Sequence, residues 1–578
     1  MTLAARCAAL AALSIQVLAC SASSERDSAP SGAANERGTP TSSGSGSGGA
    51  SSDPGGNVGA STGYTPGGGT GGASYSGSGG TAAPGAISVE PPVVPPSNQG
   101  DSYEGVGTNP FVVAAHDPLS TFAADVDTAS YDIFRRDVEA GMLPIAASVR
   151  LEEYVNSFTY DYPAPAETDE HPFSISLAAA PHLFSRGTTL VRVGIQAQAP
   201  AAFEKKPANL VFLIDTSGSM ASAAKLPLVQ HTLTQTLELL EPTDTVSIVT
   251  YAGSTGVRLE PTPVAEYDVI ADAINGLTSA GSTAGASGIQ LAYAQAEAGF
   301  LEGGINHVIL CTDGDFNVGP SSTEELVELI TEKRQSGITL TVLGYGTGNL
   351  NDAMMEAISN KGNGVYGVIS SEEHAERYVR ERMLSTLQLI AKDMKIQVEF
   401  NPAQVYAYRL LGYENRDIAD DDFRDDAIDA GEVGAGHRVT ALYEVILAGG
   451  EIPMFDGAPA AQDGALFDGT PEVDAGDLVL VKVRYKDLDA TESDAAYEVA
   501  SSLSPDAVLP AFEAADLDLQ WAIAVAAYAE ILKQSPYAEL GHLDIIGQIA
   551  AAQAERDADR AEFASLFDKA LPLLAGSN

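Results

Sequence analysis

Cysteine is nearly missing from this chain, with three in 578 residues. Cys7 and Cys20 fall in the first twenty positions, so Cys311 stands alone in the rest and no disulfide can form there. Inside "HVILCTDG" it reads as a small buried apolar residue. Basic residues are also scarce. Lys plus Arg number 31 against 78 Asp plus Glu, a formal charge of −47. Phosphate contacts need basic patches, so nucleic acid is excluded as a partner. Several catalytic signatures are missing too: no G-x-S-x-G elbow outside the Ser/Gly-rich stretch that holds Gly59–Gly63, no H-E-x-x-H and no phosphate loop. The eight histidines are scattered. "SAAK", holding Ser222 and Lys225, fits the S-x-x-K of serine acyl-enzymes, but the companion S-D-N and K-T-G elements are lacking.

What is present begins with an export signal. Arg6 precedes a short apolar stretch, "CAALAALSIQVLAC", too short to span a bilayer as a helix. It ends in Val17-Leu18-Ala19-Cys20, which resembles a bacterial lipobox. That resemblance implies a lipid on Cys20, an exported protein anchored in the cell envelope, and, with Ser21 following, the outer membrane or cell surface. The alternative is ordinary signal-peptidase cleavage nearby with Cys20 incidental. Residues 1–20 are thus read as a lipoprotein signal peptide. Residues 21–108, rich in Ser, Gly and Pro, are read as a disordered tether, because no hydrophobic period survives there.

Order is expected from about residue 109. Region 109–205 carries a helix over 129–139, with Asp127 or Thr128 as its cap, and a second helix near 149–157. Two strands follow, at 173–179 and 189–198, each with period two. In 206–392 the rhythm changes. Apolar strands such as "LVFLI", "TVSIVTY" and "HVILCT" alternate with amphipathic helices, which implies a doubly wound, Rossmann-like parallel sheet covered on both faces. A long helix over 371–392 is expected to lead out. Region 393–510 returns to strands, and 511–578 is helical and alanine-rich, with Trp521, Ile523 and Leu532 in its core. The strands at 173–198 and 394–487 are expected to pair in one β-sandwich, with the α/β unit inserted between them. On this plan the tether and the C-terminal helices sit on the sandwich and the far edge of the α/β unit projects away.

Such sheets bind ligands at the carboxyl ends of their strands. There the first strand runs into "DTSGS", holding Asp215, Ser217 and Ser219 in a D-x-S-x-S pattern. "SAGSTAGASG" places Thr283 in a small-residue loop, and "VILCTDGDFNVG" places Asp313 at another strand end. Hydroxyls and carboxylates are hard oxygen donors suited to Mg²⁺ or Mn²⁺, with Ca²⁺ as a further candidate. The bland reading of D-x-S-x-S alone is a capped strand-to-helix turn. The run at 417–432, eight acids in sixteen residues, does not match the calcium-loop spacing and reads as a solvated loop. "DVDT" at 125–128 invites a metal reading as well, but capping is preferred.

These motifs together resemble a von Willebrand factor type A domain with its metal-ion-dependent adhesion site. The resemblance implies that Asp215, Ser217, Ser219, Thr283 and Asp313 surround a cation, with one position open for a Glu or Asp carboxylate from a partner protein. Longer phrases, among them "STFAADVDTASYDIFRRDVEAGMLP" and "KIQVEFNPAQVYAYRLLGYENR", resemble a family of bacterial proteins in which a type A domain lies between an N-terminal and a C-terminal flanking region. The function implied is metal-dependent binding or adhesion, or scaffolding, at the cell envelope, with no catalytic residues identified. A metal-dependent hydrolase and a structural subunit of an envelope assembly are the competing readings.

Overall fold

The computed structural model describes residues 100–124, 127–166, 168–199, 206–282, 285–314, 323–383, 388–425, 430–488, 490 and 494–576. All belong to one compact unit spanning Pro91–Asn578. The signal, Cys20 and most of the tether lie outside the described residues, as does Thr283.

Strands β1 (Val112–Val113) and β2 (Leu119–Ala123) precede helices α1 (Ala129–Glu139) and α2 (Leu151–Asn156). The hairpin β3 (Phe173–Pro181) and β4 (Thr189–Ala197) follows. The α/β unit then runs β5 (Ala208–Asp215), α3 (Leu226–Leu239), β6 (Thr245–Tyr251), β7 (Thr255–Pro263), α4 (Tyr267–Asn275), α5 (Gly285–Ala298) and β8 (Ile305–Thr312). It continues with α6 (Thr323–Arg334), β9 (Thr339–Tyr345), α7 (Asp352–Lys361), β10 (Tyr366–Ile369) and α8 (Glu372–Tyr378). After it come β11 (Leu389–Phe400), β12 (Val405–Leu411), β13 (Val433–Gly434), β14 (Arg438–Leu447), β15 (Val479–Lys486) and β16 (Tyr497–Leu503). Helices α9 (Leu517–Lys533), α10 (Leu543–Gln553) and α11 (Ala558–Gly576) close the chain.

The α/β sheet has the order β10-β9-β8-β5-β6-β7. Every pairing is parallel except that of β7, an antiparallel edge strand after β6 that the sequence reading passed over. Its central strand β5 is buried along all eight residues, which is why it reads as a continuous apolar run. One face packs against residues of α3, α4 and α8. The other packs against α5, α6 and α7, joined by Ala129 and Ile133 of α1. The N-terminal flank therefore contributes a helix to the α/β core.

The two outer segments form one sandwich across the insertion, as expected. β4 pairs with β14 along Thr189–Gln196 and Val445–Arg438, in the sheet β1-β12-β14-β4-β3. The second sheet, β13-β11-β15-β16 with β2 beside β11, shares its core: Val193 and Ile195 meet Ile396, Val398 and Val481. The C-terminal helices lie against this sandwich and against α1 and α2. Trp521, Ile523 and Leu532 are buried with Phe158, Phe563, Leu190 and Leu442.

Three expectations are corrected. The helix over 371–392 stops far sooner: α8 ends in a π-turn at Val379–Met383, and β11 has begun by Leu389, paired to Gly434. The chain does not enter on the sandwich. Ser102 bridges to Asn351 and its amide donates to Leu350 O at 2.7 Å, at the carboxyl end of β9. Asp127 does not cap α1. Thr128 holds the cap position without a side-chain bond, and Glu153 accepts from the Ser130 amide at 2.8 Å.

Asp127 instead belongs to a buried ionic cluster. It accepts from the Tyr366 amide and from Arg416, both near 2.8 Å. Arg150, 1% exposed, bonds Glu153 and Asp352 and lies 3.4 Å from Glu356. Carboxylate oxygens of Asp127, Glu153 and Glu356 lie within 4.8 Å of one another, but arginines and backbone amides already serve all three carboxylates. Burial pushes Glu153 up to about 8, against the pull of Arg150. The cluster joins the N-terminal flank, α7 and the loop after β12.

Two buried histidines make stability pH-dependent. Burial lowers His307 to about 4, and burial with the neighbouring Arg135 lowers His374 to about 4. Between that value and the ordinary 6.5 the unfolded chain binds more protons, so each ring removes stability as pH falls from about 6.5 toward 4. His307, whose Nδ1 lies 2.5 Å from Thr339 Oγ1, offers the simpler test. His307→Asn is expected to lose less stability than wild type between pH 6.5 and 4.5 in urea melts. Parallel losses in the two proteins would contradict the assignment.

Candidate metal centre

The site is built where β5 leaves the core. Asp215, fully buried, accepts the Ser217 amide on Oδ1 at 2.8 Å, which curls the chain immediately after the strand. Ser217 is extended (φ −61°, ψ 166°), and a 3₁₀ turn follows at Gly218–Ala221. Ser217 and Ser219 therefore face one another, with Oγ to Oγ 2.9 Å. Asp215 and Ser217 are buried and Ser219 is exposed, so the row of oxygens runs from core to solvent.

The second loop docks on the first through backbone bonds. The Ala280 amide donates to Thr216 O at 2.8 Å, and the Gly218 amide donates to Gly281 O at 3.1 Å. Gly281 sits at φ +91°, and a Cβ there would meet the Gly253 amide nitrogen at 3.1 Å, so only glycine suits the position. Thr283 is two residues further along.

The third loop brings Asp313, 1% exposed, from the end of β8. The next residue, Gly314, has φ +95°, and a Cβ there would lie 2.5 Å from the Leu350 Cα, so the loop after β9 packs directly on this turn. Asp313 Oδ2 accepts from Lys225 Nζ at 2.8 Å. Burial pushes the Asp313 carboxyl up, but hydrogen bonds from Lys225, Ser219 and Asn349 outweigh it and leave the group below the usual carboxylate range. Ser219 thus links the first loop to the third.

Of the five expected ligands, Asp215, Ser217, Ser219 and Asp313 are brought together at one sheet edge. Lys225 and Asn349 are the neighbours that sequence reasoning did not place here. Lys225 drew notice only within S-x-x-K, yet its ammonium is directed to Asp313 and to Asn349 Oδ1 (3.1 Å).

The geometry can be tested against the chemistry of a cation. Adjacent ligands of an octahedral ion with bonds of about 2.0–2.1 Å lie about 2.9 Å apart. The Ser217 and Ser219 hydroxyls are hydrogen-bonded to each other at 2.9 Å, a separation that adjacent ligands of a small octahedral ion would also have. Two carboxylates and two hydroxyls are hard oxygen donors of the kind that suit Mg²⁺, Mn²⁺ or Ca²⁺.

A doubly wound sheet with D-x-S-x-S at its central strand end, inserted in a β-sandwich, defines a von Willebrand factor type A domain protein. The family model for that domain matches residues 209–381, and one described as von Willebrand factor matches 97–192. A third, described as "Uncharacterized protein YfbK, C-terminal", matches 385–573. The chain belongs to the YfbK family: it is 38% identical over 478 residues to the YfbK protein of Escherichia coli (strain K12), covering 81% of this chain and 80% of that protein. It is also 30% identical over 174 residues to the human inter-alpha-trypsin inhibitor heavy chain H3, covering 28% of this chain and 19% of that one. Among solved structures, a von Willebrand factor type A protein from Catenulispora acidiphila aligns over 69% of this chain and 89% of its own, with 15% identity and a TM-score of 0.38.

Proposed function

We propose that this chain is an envelope-anchored binding protein that captures a protein partner through a divalent cation held at the β5 edge. The observation that carries the reading is the convergence of two buried carboxylates, Asp215 and Asp313, with a hydrogen-bonded pair of serine hydroxyls that opens to solvent at Ser219. Asp215, Ser217, Ser219 and Asp313 would hold the ion, with Thr283 completing the set from the second loop. The bound ion would supply Lewis acidity toward a Glu or Asp carboxylate of the partner. The residues do the rest: Asp215 fixes the first loop through the Ser217 amide, and the backbone bonds to Ala280 and Gly281 hold the second loop against it.

Anchoring rests on Cys20 and its lipobox. Among the described residues no helix is long and apolar enough to cross a membrane. Ser102 pairs with Asn351 in the loop after β9, at the carboxyl end of the sheet. The family matches favour a protein-interaction role over chemistry, and the chain is read here as a binder rather than an enzyme. Calorimetric titration with Mg²⁺ is expected to show one site per chain, and EDTA is expected to release captured partner. Steady turnover of an ester or phosphate substrate, lost in Asp313→Ala, would instead establish the hydrolase. A bound ion with no metal-linked partner would establish the structural subunit.

A further inference from the structure

Lys225 brings a positive charge to a cation site. Its residue is 8% exposed, and its Nζ lies 2.8 Å from Asp313 Oδ2. The stem is held as firmly as the head. A Cβ at Gly346 (φ +78°) would lie 2.4 Å from Lys225 Cε and 2.7 Å from its Cγ, so the loop after β9 lies directly along the methylenes. Asn349 of that loop accepts from Nζ.

The loop itself is pinned from outside the α/β unit. Asp101 Oδ1 accepts from the amides of Gly348 (2.7 Å) and Leu350 (2.9 Å). Arg136 of α1 bridges Asp101 (2.8 Å) and Gly346 O (3.0 Å). Burying an ammonium is costly, and three elements converge to hold this one in contact with a ligand carboxylate.

We propose that Lys225 is a fixed counter-charge of the metal centre, which weakens cation binding and in return strengthens the pull on an anionic partner. The inference rests on the metal-site reading above. Two carboxylates and one ammonium leave the protein's share of the site at one negative charge. A divalent ion there retains one positive charge, which an incoming carboxylate neutralises. Without Lys225 the ion would be neutralised by the protein alone, and the partner's carboxylate would meet no net charge. An ammonium in contact with Asp313 would repel a divalent ion held by that carboxylate by more than thermal energy, even at the effective dielectric of a protein surface.

The test uses Mn²⁺ as the ion and acetate as the carboxylate probe, read by calorimetry and by the Mn²⁺ electron paramagnetic resonance spectrum. Lys225→Met keeps the stem that packs on Gly346. Lys225→Gln also keeps a hydrogen-bond donor for Asp313, which separates charge from positioning. Thermal melts establish that each variant is folded. Both variants are expected to bind Mn²⁺ at least about tenfold more tightly than wild type. Acetate is expected to tighten Mn²⁺ binding in wild type and to do so markedly less in either variant. If wild type binds Mn²⁺ and the folded variants bind it equally or more weakly, Lys225 merely positions Asp313 and the inference is overturned while the metal site stands. If wild type binds no Mn²⁺, the metal-site reading itself fails.

Discussion

Asp215→Ala is expected to weaken Mg²⁺ binding by at least about 100-fold and to abolish partner capture, with the fold retained. The physical reason is the position of this carboxylate. It is fully buried at the end of the central strand, so its charge is screened far less than that of a surface acid. Removing it deletes one of two negative charges facing the ion and releases the Ser217 amide that sets the serine row. Loss of a buried hydrogen bond costs about 1–3 kcal/mol, which the large parallel-sheet core tolerates. Calorimetry and circular dichroism on the same sample separate the two effects. Unchanged Mg²⁺ affinity in a folded Asp215→Ala protein would remove Asp215 from the site.

Arg150→Met is expected to have the opposite profile: a large loss of stability, about 3–5 kcal/mol, from a residue remote in sequence from the metal motifs. The guanidinium bonds Asp352 at 2.6 Å and Glu153, and lies 3.4 Å from Glu356. Methionine fills much of the space but leaves three acids buried without their shared cation. Arg150→Lys is expected to rescue little, because a point charge cannot reproduce the fork that serves Asp352 and Glu153 together. Urea melts at neutral pH report the difference. A loss under about 1 kcal/mol would show that the cluster is dispensable for joining the N-terminal flank to α7.

The α/β unit was legible because its strands, the edge strand β7 apart, are buried on both faces. Runs such as "LVFLI" have no polar interruption, and the amphipathic stretches between them set the helices. The sandwich was legible in part. β3, β4 and β14 alternate over long stretches, whereas β2, β12 and β16 escaped notice. β16 is a largely exposed strand with a weak apolar pattern. The expected helix fails over 389–392, where tertiary pairing overrides local preference: "LIAKD" has helical composition, but Leu389 and Ala391 are taken up by Gly434 and Val433 of β13.

At the site, Asp215, Ser217, Ser219 and Asp313 could be named because each follows a recognisable strand or loop motif. Lys225 and Asn349 could not. They reach Asp313 from separate loops 124 residues apart, and no local pattern links them. Asp127 was misread for the same reason. Next to a helix start an aspartate looks like a cap, and only the fold shows Arg416, 289 residues away, holding it.

The proposed function requires a cation that links this chain to an acidic partner. The most direct measurement is retention of envelope proteins on the immobilised full chain in Mg²⁺, then in EDTA, then with Mg²⁺ restored, with Asp215→Ala in parallel. The account predicts a partner that is released by EDTA, returns with Mg²⁺, and is never retained by the variant. Retention that persists in EDTA and is equal on wild type and Asp215→Ala would contradict it.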